Sequence, residues 1–284
     1  MQRNGISADL PGKLGLASTA RLKNSVLPFL PLGLAAGLLL NAIAPAKADF
    51  NEAGMRLAKT EDVGAIASSQ PATNTKQSNS FSDVGADYWA QPFIGGLAVG
   101  DYISGYDNGQ FRPNQPLTRA EFAAMLTKAF ADAPAVRSTA ITFTDISNVA
   151  WAVPAISFVE SRGFMSGVGQ GRFDPSSNIS RIQVITALSS GLGLDPIDDT
   201  EMFLATNYTD MRQIPFWAYS PATAATMNDI VVNTAPVTMP TRLEPNRAAT
   251  RGEVAAMVYQ ALVKQDEIAP INAASPATTH IVGF

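Results

Sequence analysis

One order of residue types recurs three times along this chain, and an internal repeat restricts the fold more than any composition does. The first unit reads Phe81-Ser82-Asp83-Val84, Trp89-Ala90, Gly105-Tyr106, Gly109-Gln110-Phe111-Arg112-Pro113 and Thr118-Arg119-Ala120-Glu121-Phe122. The second reads Phe143-Thr144-Asp145-Ile146, Trp151-Ala152, Gly167-Val168, Gly171-Arg172-Phe173-Asp174-Pro175 and Ser180-Arg181-Ile182-Gln183. A looser third reads Tyr208-Thr209-Asp210-Met211, Trp217-Ala218, Leu243-Glu244-Pro245 and Thr250-Arg251-Gly252-Glu253. Trp to Arg spans 30 residues in the first two units and 34 in the third, a regularity that chance does not produce. The third carries its extra residues in Val232 to Arg242, where the Gly-Tyr and Gly-x-Phe elements are lost.

Each unit predicts a helix, a loop and a helix. An apolar stretch follows each Trp, with Pro92, Pro154 or Pro221 near its start, where a missing amide is tolerated. The Gly- and Pro-rich centre cannot continue a helix. A second helix begins at Thr118, Ser180 and Thr250, each followed three residues later by Glu121, Gln183 or Glu253, the capping-box pattern. Apolar positions then recur at helical spacing, as in Phe122, Met125, Leu126 and Phe130. So small a unit buries little alone, so three must associate through their apolar helix faces, giving a mainly all-α chain. Segments such as Ala131 to Ala140 and Asp195 to Glu201 read as connectors.

Arg119, Arg181 and Arg251 sit in the first turn of the second helix, where the macrodipole opposes a cation by a few tenths of a kcal/mol up to about 1 kcal/mol. A locally unfavourable residue that recurs has another use. A guanidinium beside free helix N-terminal amides makes a seat for a carboxylate. The structural alternative is an Arg paired with a neighbouring acid such as Asp83, Asp145 or Asp210. Arg112, Arg172, Arg242 and Arg247, in or beside the preceding loops, add to a local basic cluster. Trp89, Trp151 and Trp217 carry two readings, core aromatic and sugar-stacking platform.

The N-terminus reads as an export signal. Basic residues Arg3, Lys13, Arg21 and Lys23 precede the apolar run Val26 to Ala44, and Ala46 and Ala48 stand at the minus-three and minus-one positions of a cleavage site. Pro28, Pro31, Gly33, Gly37 and Asn41 interrupt the run, which favours cleavage over a retained anchor. Cleavage after Ala48 removes five basic residues and one acid, so 20 basic against 24 acidic residues becomes 15 against 23, a formal charge of −8. An anionic ligand is then captured by local arginines and not by the overall field. The expected division is signal peptide 1–48, flexible linker 49–80, repeats at 81–134, 141–196 and 206–264, and flexible tail 265–284.

Composition removes most enzyme chemistry. The 284 residues contain no Cys and one His, His280, so thiol nucleophiles, thiolate or multi-His metal sites and a Ser/His/Asp triad are not supported. No cofactor or metal is expected. A charged fraction of 15% argues against nucleic acid as a partner. The paired acids Asp198 and Asp199 lie in a connector and lack the desolvated setting a general acid needs.

The order Phe-x-Asp-Val, Trp-Ala, Gly-Tyr, Gly-x-Phe-x-Pro, Thr-Arg-Ala-Glu-Phe resembles the S-layer homology domain, with three such domains covering about 81–264. The resemblance implies a pseudo-threefold assembly around a central three-helix bundle, with grooves between units that bind wall polysaccharide. It implies that the Arg of the Thr-Arg-Ala-Glu motif contacts a negatively charged, often pyruvylated sugar. Carried over by motif, the candidates are Arg119, Arg181 and Arg251, supported by Trp89, Trp151, Trp217, Gly105 and Gly167. Gln183 for Glu, Gly252 for Ala and the lost Gly-Tyr loop depart from the pattern and point to a weak or inactive third-loop groove. The expected function is non-catalytic anchoring to peptidoglycan-linked polysaccharide outside the cytoplasmic membrane, with other envelope proteins as further partners and no membrane span after cleavage. The alternatives are a self-associating component of an outer layer and an envelope carbohydrate hydrolase.

Overall fold

The computed structural model describes residues 80–136 and 143–283; the expected signal peptide and almost all of the expected linker lie outside them. Among the described residues the chain is mainly helical, with seven α-helices and isolated bridges in place of strands. The elements are α1 (Gln91–Val99), α2 (Arg119–Ala129), α3 (Val153–Ser161), α4 (Arg181–Gly191), α5 (Thr200–Asn207), α6 (Tyr219–Met227) and α7 (Arg251–Lys264).

The second helices start where their sequence places them. Glu121 Oε2 accepts the Thr118 amide at 2.8 Å, Gln183 Oε1 the Ser180 amide at 3.0 Å and Glu253 Oε2 the Thr250 amide at 2.9 Å. A cap of this kind stabilises a helix by about 1 kcal/mol. The residue before each cap builds a second device. The Leu117 amide donates to Ala249 O, the Ala249 amide to Ile179 O and the Ile179 amide to Leu117 O, at 3.1, 2.9 and 2.9 Å. These bonds join the three units in a closed ring, with all three side chains fully buried. Leaving that ring, α2 packs on α3, α4 on α6 and α7 on α1, so each second helix meets the first helix of another unit. The helices α2 and α4 also meet α7. The core between them holds Phe93, Leu97, Phe122, Leu126, Ile185, Leu188, Val254 and Val258, none more than 1% exposed. Each such side chain contributes roughly 1.5–3 kcal/mol by leaving water.

Two sequence expectations need correction. The connector Asp195 to Glu201 runs into α5, which Asp199 caps by accepting the Met202 amide at 3.0 Å and which packs on α6. The tail, expected to be flexible over 265–284, packs back on the third loop at 277–282. The Val282 amide donates to Val231 O at 2.8 Å, the Asn233 amide to His280 O at 2.9 Å and the Val237 amide to Thr279 O at 2.7 Å. Ala277, His280 and Val282 are buried. The physical reason lies in the third loop, whose apolar Val231 and Val232 and backbone groups would otherwise lack cover. No helix among the described residues is long and apolar enough to cross a membrane.

Candidate functional site

The three arginines are brackets between units. Arg119 Nε donates to Phe173 O at 2.8 Å and its Nη2 to Ser166 O at 2.9 Å, in the loop of the second unit. Arg181 reaches into the loop of the third, giving Nε to Leu243 O at 2.8 Å and Nη2 to Val232 O at 3.1 Å. Arg251 closes the circle, giving Nε to Phe111 O at 2.7 Å and Nη2 to Ser104 O at 3.2 Å in the first. Their side chains are buried, and burial pulls each guanidinium pKa below the ordinary arginine value.

The free helix amides expected beside them are taken. Arg119 and Ala120 give their amides to Ser177 O and Pro175 O, Arg181 and Ile182 to Arg247 O and Pro245 O, and Arg251 and Gly252 to Gln115 O and Pro113 O. A carboxylate seat built on those amides is therefore overturned, because backbone carbonyls of the neighbouring unit occupy it. The guanidinium edge alone remains.

The expected alternative, an Arg paired with Asp83, Asp145 or Asp210, is also replaced. Each of these acids clips its own loop: Asp83 accepts the amides of Phe111 and Arg112 at 2.8 and 2.7 Å, Asp145 those of Phe173 and Asp174 at 2.9 and 2.8 Å, and Asp210 those of Leu243 and Glu244 at 2.9 and 2.8 Å. Burial raises the Asp145 pKa, yet the amides of Phe173, Asp174 and Asp145 itself, with Arg172, outweigh it and hold the carboxyl below its usual range. Recurrence of this Asp in all three units was the signal for the clip. The third unit keeps it although Leu243 stands in place of the aromatic.

At this point the grooves diverge. Among the described residues Arg119 and Arg251 each keep Nη1 without a protein acceptor, and each guanidinium lies against an aromatic ring, Phe173 at 4.7 Å and Phe111 at 4.6 Å from the ring centre. Arg181 has no such edge. Its Nη1 binds Glu253 Oε1 at 2.8 Å and its Nη2 also binds Asn233 Oδ1 at 2.7 Å, leaving the side chain 1% exposed. Asn233 stands where the other units have glycine. A Cβ on Gly105 would meet Phe81 at 2.5 Å and Gln110 O at 2.7 Å, and one on Gly167 would meet Phe143 at 2.6 Å and Arg172 O at 2.7 Å. Those two glycines are thus explained by the packing of their own loops.

The aromatic expectations separate too. Trp151 and Trp217 are 49% and 58% exposed, while Trp89 is partly buried under the imidazole of His280, stacked at 5.1 Å. Sequence reasoning missed Tyr88, whose hydroxyl donates to Asn114 Oδ1 at 3.1 Å. A Cβ on Gly252 would lie 2.8 Å from that hydroxyl, so the glycine counted as a departure makes room for an aromatic of the first unit. The corresponding pair at the next interface is Ala150 with Ala120, and at the last it is Phe216 with Ile182, where Phe216 is 85% exposed. The acids Asp198 and Asp199 are both exposed, and Asp199 is occupied as a helix cap.

The model of the S-layer homology domain matches residues 80–123 and 142–185. An S-layer protein of Bacillus thuringiensis subsp. finitimus is 31% identical over 72% of this chain and 24% of its own length. The S-layer protein sap of Bacillus anthracis is 30% identical over 71% of this chain and 24% of its own. A cellulosome-anchoring protein of Acetivibrio thermocellus is 22% identical over 54% of this chain and 34% of its own length. The chain thus spans about a quarter of the length of the S-layer proteins it matches.

Proposed function

We propose, taking the two S-layer homology matches as the premise, that this chain is a non-catalytic anchor that binds peptidoglycan-linked, negatively charged polysaccharide at the cell surface. The S-layer and cellulosome-anchoring relatives support the anchoring role. The third unit is a diverged repeat of the same kind, because its Arg docks into the first unit as the others dock into their neighbours. The polysaccharide is of the acidic, pyruvylated type that the motif resemblance implies. The observation that carries the reading is the unpaired guanidinium edge of Arg119 and Arg251, buried among aromatic rings where a charge-assisted bond to a sugar carboxylate is strong. The exposure of Trp151 and Trp217 supports a role for them in stacking on sugar rings. Arg181, with its donors spent on protein, acts as a structural bracket.

Co-sedimentation of residues 49–284 with wall sacculi, intact and after acid stripping of the attached polysaccharide, tests this. Binding is expected to disappear on stripping and to fall with folded Arg119→Ala or Arg251→Ala protein. Equal retention on stripped wall would sink the polysaccharide reading and favour a self-associating layer component.

A further inference from the structure

The three tryptophans are not equally available. Trp151 stands just before α3, which packs on α2, and Trp217 just before α6, which packs on α4; both are exposed. Trp89 stands just before α1, which packs on α7, and its neighbour Tyr88 reaches over Gly252, the residue after Arg251. It therefore belongs to the groove between the third and first units. One face of its ring carries the imidazole of His280, with 5.1 Å between ring centres and 23° between planes. This groove keeps the open edge of Arg251 but has its tryptophan covered, whereas the groove between the first and second units has both Arg119 and Trp151 open.

The cover is a segment of the tail, and its seat is the insertion Val232 to Arg242 that the other two units lack. After α7 the chain runs largely exposed through 265–275, tied back where the Tyr259 hydroxyl donates to Ala269 O at 2.8 Å. It then pairs with the third loop. Asn233 grips His280 twice, its amide donating to His280 O at 2.9 Å and its carbonyl lying 3.0 Å from His280 Nδ1. Val232 and Ile281 face each other across an isolated antiparallel bridge, and Ala277 and Val282 are the buried apolar anchors. A short segment with so small an anchor and an exposed spacer opens before the rest of a protein unfolds.

We infer that residues 276–282 are an intramolecular latch, which when closed covers Trp89 and shuts the groove between the third and first units to glycan. The inference rests on the anchoring reading and adds regulation to it. Glycan in that groove competes with the tail, so its apparent affinity there falls by the fraction of chains in which the latch is open. A latched chain holds glycan at one groove and an open chain at two, which tightens its hold on a polymer of many repeats.

The test locks the latch. Val232 and Ile281 form a non-hydrogen-bonded pair, flanked by the bonds from Val282 to Val231 O and from Asn233 to His280 O, a pairing that brings Cα atoms to about 4.5 Å, within disulfide reach. The chain has no cysteine of its own, so Val232→Cys with Ile281→Cys introduces a single reversible lock. Protein of residues 49–284 is titrated calorimetrically with short oligosaccharides cut from the wall polysaccharide. The oxidised pair is expected to bind at one site and the reduced pair at two, the second weaker. His280→Ala is expected to tighten the second site about two- to tenfold, as loss of one ring stack on Trp89 allows. A second site equal in oxidised and reduced protein overturns the latch, as does a single site in every form or a second site that His280→Ala leaves unchanged. Protein that binds no oligosaccharide in any form overturns the anchoring reading itself, which separates the two failures.

Discussion

The groove around Arg181 and the groove around Arg251 are built from the same parts. In both, an arginine in the first turn of a capped helix crosses to the next unit and ties down two loop carbonyls. Around Arg181 the next unit also supplies Glu253, which is fully buried, and Asn233, so every face of the guanidinium is covered. Around Arg251 the corresponding neighbours are Glu121, which stays on its own cap, and Gly105, which has no side chain, so one edge stays free. The Arg119 groove sides with Arg251, because Gln183 and Gly167 stand at those places. The same arginine is thus a structural bracket everywhere, and it keeps a free edge only where the neighbouring unit withholds an acid and a side chain.

The widest separation is expected in stability. Arg181→Ala removes one of the two cations on the buried Glu253, leaving Arg247, and strands the carbonyls of Leu243 and Val232, a loss of about 3–5 kcal/mol in urea unfolding. Arg251→Ala strands two carbonyls at a site open to water and is expected to cost about 1–3 kcal/mol. Equal losses would erase the distinction between sealed and open grooves. Acid sharpens the same contrast. Burial pushes the Glu253 carboxyl up, but hydrogen bonds from Arg247 and the charge of Arg181 outweigh it, so its pKa in the folded protein is depressed. Its contribution is therefore complete above the ordinary Glu pKa of about 4.3 and is lost as pH falls through the lower folded value. Unfolding measured from pH 6 to pH 3 is expected to show a decline that Glu253→Gln flattens.

Gly105→Ala is expected to destabilise by about 1–3 kcal/mol, because the methyl meets the Gln110 carbonyl and the Phe81 ring. A neutral result there would show that an Asn233-like side chain fits the open groove as well. Arg251→Ala is expected to weaken wall binding about tenfold, about 1.4 kcal/mol, in the sedimentation assay. The smallest effect belongs to the tail. His280→Ala removes one ring stacked on Trp89, about 0.5–1.5 kcal/mol by thermal unfolding.

The helices were legible because their causes are local. Thr118-x-x-Glu121 and its counterparts cap through neighbours three residues away, and the apolar spacing of Phe122, Met125 and Leu126 fixes the buried face within one helix. The recurrence of Arg119, Arg181 and Arg251 marked the residues that matter. Their partners were hidden because Arg251 bonds to Phe111, 140 residues earlier, and no pattern along the chain encodes that distance. Gly252 departs from the motif because Tyr88 of another unit lies above it, and the polar tail is ordered by the backbone groups of Val231 and Asn233 in the third loop, partners that no local pattern encodes.

The sequence by itself determined three helix-loop-helix units, their caps and the identity of the recurring arginines, since each depends on residues within one unit. Only the tertiary structure decided which helix amides were spent, which arginine was sealed and which kept an open edge. A guanidinium has five donors and no local means of filling them, so what remains free is set by the neighbour that folding brings against it.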